Sequence, residues 1–150
     1  MWLKRPYKSL ACIAAVCCLG ATAWAADNAV PLETLGHETP GIVEPADLTS
    51  GISARASGSF STTISANSTV TVGDALPLDA GETVAFDCTY SPASASVDFG
   101  LIAPDGYFYS INVTSGSIDK GIRVSERGYY TLAIRNNSSS AVTVTGTVQY

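Results

Sequence analysis

Positive charge is scarce in this chain. Eight lysines and arginines stand against thirteen aspartates and glutamates in 150 residues, and three of the eight, Lys4, Arg5 and Lys8, fall in the first nine positions. Nucleic-acid binding wants a basic face, so no nucleic-acid partner is expected. Histidine is rarer still. His37 is the only one, and residues 57–150 hold none. Within that stretch the Ser–His and Cys–His nucleophile pairs are therefore excluded. No HExxH, CxxC or glycine-rich phosphate loop occurs. Cysteine is nearly absent after the N-terminal region: Cys12, Cys17 and Cys18 lie together, and Cys88 stands alone. Sustained helical periodicity is missing beyond the N-terminal apolar run.

That run has the marks of an export signal. Lys4, Arg5 and Lys8 form a basic head, Leu10 to Ala23 is apolar and uncharged, and Ala23-Trp24-Ala25 places small residues where a signal peptidase reads them. Fourteen residues are too few to span a bilayer, which takes about 20. Cleavage is expected after Ala25, leaving no stable membrane insertion. Residues 1–25 are the expected signal peptide and the product is expected to be secreted, extracellular or in the cell envelope. Cleavage removes three basic residues and no acid, so five cations face thirteen anions, a net charge of −8. Such a balance disfavours anionic lipid and favours solubility. Residues 26–56 carry Pro31, Pro40 and Pro45, three glycines and five acids without periodicity, and read as a flexible acidic linker.

From residue 57 the texture becomes strand and turn. Val84, Phe86, Cys88 and Tyr90 alternate with Thr83, Ala85, Asp87 and Thr89. Val97, Phe99 and Leu101 alternate with Asp98, Gly100 and Ile102. Alternate side chains of a strand face opposite sides of a sheet. Ala103-Pro104-Asp105-Gly106 is a turn, with proline presetting φ and glycine tolerating a positive one. Tyr107, Tyr109, Ile111 and Val113 alternate beyond it. Tyr130, Leu132 and Ile134 form another inward set, and Val142, Val144, Gly146, Val148 and Tyr150 the last. About eight short antiparallel strands at 8–12-residue spacing indicate an all-β chain, a single β-sandwich over residues 57–150. Cys88 falls on an apolar face and reads as a small buried hydrophobe.

The order Gly81-Glu82, alternating strand, VDFGLIAPDG at 97–106, GYYTLAIRN at 128–136 and a final valine-rich strand resembles the small jelly-roll β-sandwiches appended to secreted bacterial peptidases, the pre-peptidase C-terminal type. Of the acids that the strand before the turn carries in that family, only Asp98 is present. The resemblance implies a jelly-roll-like fold and a bacterial, non-catalytic accessory module without cofactor.

Three kinds of site follow from the residues. Phe108 and Tyr129 neighbour the inward tyrosines 109 and 130, so they point outward and are the candidate ligand contacts, for stacking on sugar or protein. Asp79 and Glu82 share a turn and are weak calcium candidates. The remaining carboxylates sit mostly in turns and suggest no catalytic pair. The expected function is a secreted binding or interaction module for an extracellular protein or glycan. The alternative is a carbohydrate-binding module using exposed aromatics, and a small secreted hydrolase comes third.

Overall fold

The structure, a computed structural model, describes residues 29–41, 43–45 and 58–150. The expected signal peptide and residues 46–57 lie outside the described residues. The chain is all-β, and two sheets form a sandwich. Eight strands come from the expected domain: β4 Gly58–Ile64, β5 Thr69–Leu78, β6 Thr83–Ser91, β7 Val97–Ile102, β8 Phe108–Val113, β9 Ser117–Arg123, β10 Gly128–Asn136 and β11 Val142–Gln149. Three more come from the stretch read as a linker: β1 Ala29–Pro31, β2 His37–Glu38 and β3 Val43–Pro45. A five-stranded sheet runs β1-β9-β6-β11-β4, and a six-stranded sheet β2-β8-β7-β10-β5-β3.

The inward faces follow the period-two pattern. Phe60, Ile64, Val84, Phe86, Cys88, Val97, Phe99, Leu101, Ile122, Leu132, Ile134, Val142, Val144 and Val148 are all buried in one cluster. Burial of such side chains contributes roughly 1.5–3 kcal/mol each. Consecutive strands mostly change sheet. Only β7 and β8 pair as neighbours in sequence, through the Ala103–Gly106 turn. There Gly106 takes φ 86°, its N–H donates to the Ala103 carbonyl at 2.9 Å, and Asp105 Oδ1 accepts the Tyr107 N–H at 2.9 Å. β5, Thr69–Leu78, is a single ten-residue strand although Gly73-Asp74 and Pro77 interrupt its pattern. The ladder with β10 shifts register between the Leu76–Tyr130 and Val72–Leu132 pairs, so a bulge absorbs Gly73-Asp74.

Residues 29–45 correct the linker expectation. β1 lies parallel on β9 and β3 parallel on β5, so the sheets are not purely antiparallel, while β2 pairs antiparallel with β8. The segment therefore straps the six-stranded sheet from one edge to the other. Six flat strands at about 4.8 Å spacing would hold β2 and β3 roughly 24 Å apart. The five residue steps from Glu38 to Val43 reach at most ~18 Å. The sheet must curl toward the strap, which makes its outer face concave. Thr39, Pro40 and Gly41 share a cavity with Arg135 and Asn67–Thr69, so the crossing passes over that face.

Candidate functional site on the concave face

The outer face of the six-stranded sheet is ordered in rows by its register. One row is Asn112–Asp98–Arg135, the next Ser110–Gly100–Ala133, the third Phe108–Ile102–Thr131. Asp98 alternates with inward Val97 and Phe99, so parity turns it outward, yet it is only 4% exposed. A buried carboxylate must have its lone pairs satisfied. Four contacts do this. Asn112 Nδ2 donates to Oδ1 at 2.6 Å, while Arg135 Nε and Nη2 donate to Oδ2 at 3.0 and 2.8 Å and Asn137 Nδ2 at 2.8 Å. Arg135 Nη1 also meets Glu38 Oε2 of the strap at 2.9 Å. Burial alone would lower the guanidinium pKa, but the hydrogen bonds and charges of Asp98 and Glu38 outweigh it and hold it above its ordinary value.

The middle row explains what lies beneath. Its three side chains are small, and the Arg135 guanidinium and the Phe108 ring meet over it, 5.3 Å apart. Such a cation–π contact stabilises by roughly 0.5–2 kcal/mol. Gly100 is required there: a Cβ would overlap the Tyr109 carbonyl oxygen and the Ser110 backbone. Above this floor opens a groove of about 500 Å³, lined by Gly36–Glu38, Ser110, Asn112 and Asn137 together with Asp98 and Arg135. Asn112 Nδ2 donates to both Ser96 Oγ and Asp98. That arrangement leaves its Oδ1 as a fixed acceptor, and Asn137 is held by the same carboxylate in the same manner.

An aromatic cluster lies on the other face of β8 from the groove. His37 pairs with Tyr109 across β2 and β8, and its ring lies 5.2 Å edge-on from Tyr107 and 5.3 Å from Tyr109. Tyr109 donates its hydroxyl to Asp105 Oδ2 at 2.6 Å. That bond pushes the phenol up to about 12 and holds the Asp105 carboxyl below its usual range, with the Tyr107 N–H helping. Tyr107 itself is 42% exposed.

The expected sites fare differently. Phe108 does face outward, but it is 1% exposed beneath Arg135 and beside the strap, so it is not a surface platform. Tyr129 is 69% exposed, at the far end of β10 opposite Pro77 and six residues from Arg135, about 20 Å along the strand. The structure does not bring the two together. Of the tyrosines expected in the core, Tyr130 is buried and Tyr109 only partly so. Glu82 Oε2 accepts the Asp79 N–H at 2.7 Å within their turn, and the Asp79 carboxylate pairs with Arg127 of the β9–β10 turn at 3.3 Å. Among the described residues no three histidine, cysteine or acidic side chains converge as a metal site. His37, in the stretch read as a flexible linker, is instead part of the folded body. Among the described residues no serine or cysteine hydrogen-bonds to its ring.

Sequence reasoning missed Arg135, Asn112 and Asn137. A signal for Arg135 existed: Asp98 and Arg135 are the single charges on the outward parity of two strands that are otherwise uncharged there. No family model matches the chain, and neither a curated protein nor a solved structure matches it.

Proposed function

We propose that this chain is an exported, non-catalytic binding module of the bacterial cell envelope or extracellular space, and that its ligand sits in the concave groove over Asp98 and Arg135. One observation carries the reading. A buried carboxylate is spent on holding Arg135, Asn112 and Asn137 in fixed positions along an open groove, a costly way to build a surface that meets only water. The sandwich is taken as a jelly roll related to the pre-peptidase C-terminal modules. The strand orders β4-β11-β6-β9 and β5-β10-β7-β8, with eight strands in two sheets, support that reading. Localisation rests on the signal-like N-terminus.

The test is retention of the purified, processed protein by an envelope preparation of the producing cell. Ser110→Trp, which fills the groove, should abolish retention while urea midpoints stay within error. Retention equal to wild type would refute the site.

A further inference from the structure

We propose that a second cavity, at the end of the sandwich where the β7–β8 and β9–β10 turns meet, takes a small quaternary ammonium cation such as choline. It shares no lining residue with the groove over Asp98 and Arg135, so either site can fail alone.

The walls are the first argument. The alternation that puts Phe108, Ser110 and Asn112 on the outer face of β8 puts Tyr109 on the other. Tyr109 of β8 and Tyr130 of β10 line a cavity of about 230 Å³. Leu32, in the strap between β1 and β2, and Ala103 and Pro104 of the β7–β8 turn complete its apolar part. Both phenol hydrogens are already committed: Tyr109 donates to Asp105 Oδ2 at 2.6 Å, and Tyr130 to the Glu126 carbonyl at 2.7 Å. The two rings are held in place by those bonds, and what they offer a ligand is chiefly π surface. Such a surface attracts cations, quaternary ammonium groups among them.

The second argument is charge. Glu33, Asp105 and Glu126 line the same cavity, and all three reach solvent at its mouth. No lysine, arginine or histidine lines it. Arg127, next to Glu126 in the chain, pairs with Asp79 instead. Neither Glu33 nor Glu126 has an ion-pair partner among the described residues. The tyrosines sense this field: burial first, then the charges of Glu126 and Asp105, raise the Tyr130 phenol above its ordinary value. A cation is attracted here, and an added carboxylate or phosphate on the ligand is repelled.

The third argument selects the kind of cation. Among the described residues no three acidic, histidine or cysteine side chains converge as a metal site. Carboxylates set apart around an apolar wall do not replace the hydration shell of a hard ion, which takes about six or more oxygens. They do balance a charge spread over methyl groups, which has no N–H to satisfy and rests on aromatic and aliphatic side chains. The volume lies below the range of about 300–1,000 Å³ for drug-sized ligands, which suits a small solute rather than a polymer.

The experiment is calorimetric titration of the full exported chain with choline, its neutral carbon isostere dimethylbutanol, ethanolamine and glycine betaine. Choline should bind at least ten-fold more tightly than each of the other three. Glu33→Gln combined with Glu126→Gln, and separately Tyr109→Leu, should each weaken choline about ten-fold. The glutamine pair alters only exposed side chains, so it reports on the site even where Tyr109→Leu does not fold. No binding of choline, or equal binding of the isostere, ethanolamine or betaine, overturns the ligand class. Choline binding that the glutamine pair keeps in full overturns the placement.

Discussion

Truncating Asp98 tests whether the floor of the groove is built as described. Asp98→Ala removes four charge-assisted hydrogen bonds at 2.6–3.0 Å from a carboxylate that is almost wholly buried. Deleting one partner of a fully buried ion pair costs about 3–5 kcal/mol. Two features reduce that here. The Arg135 side chain is 20% exposed and keeps Glu38, and Asn112 keeps Ser96. The expected loss is about 2–3 kcal/mol. With m in the usual range of about 1–3 kcal/mol/M, the urea midpoint should fall by ~1–2 M at unchanged m. Glu38→Ala is the matched control: its side chain is 68% exposed, so its ion pair should contribute less than about 1 kcal/mol. Equal and small losses in both variants would refute the claim that Asp98 organises this face.

Other consequences can be checked separately. Phe108→Ala should cost about 3 kcal/mol or more in urea unfolding, because a buried ring is removed from under Arg135; a loss under ~0.5 kcal/mol would return Phe108 to the surface. Cys88 should resist thiol reagents in the native protein and label only with denaturant: burial, then the Asp87 charge, lift it from 9.0 to about 12, cutting thiolate at pH 8 roughly a thousand-fold. Rapid native labelling would overturn that. Cys88 and Tyr109 both have folded values above their unfolded ones. Their contributions are therefore intact below pH 9 and pH 10 respectively, and are lost as pH rises toward 12. Tyr109→Phe should flatten the upper part of that alkaline limb in a pH series of urea midpoints, and an unchanged limb would contradict the Tyr109–Asp105 bond.

The core was legible because strands report their two faces locally. Val84-Phe86-Cys88-Tyr90 and Val97-Phe99-Leu101 need no knowledge of their neighbours to be placed inside. Phe108 shows the limit of that rule. Its parity was read correctly as outward, but burial depended on a strap 70 residues away in sequence. The strap itself was hidden because two- and three-residue strands are too short to show a period, and proline, glycine and acid read as solvated chain. Gly73-Asp74 and Pro77 interrupt the strand pattern of β5, and a bulge and an otherwise unpaired edge accommodate them. The candidate site was the least legible part. Asp98, Asn112 and Arg135 become neighbours only through lateral register between three strands, and nothing along the chain states that register.

The central claim is that ligand sits in the groove over Asp98 and Arg135, on the outer face of the six-stranded sheet. Amide chemical-shift mapping of the isotopically labelled exported chain, titrated with a soluble extract of the envelope preparation, tests it most directly. Perturbations should cluster on Gly36–Glu38, Ser110, Asn112 and Arg135–Asn137. Perturbations centred on the opposite, hydroxyl-rich face at Ser61, Thr89 and Thr145, or on Tyr129, would contradict it.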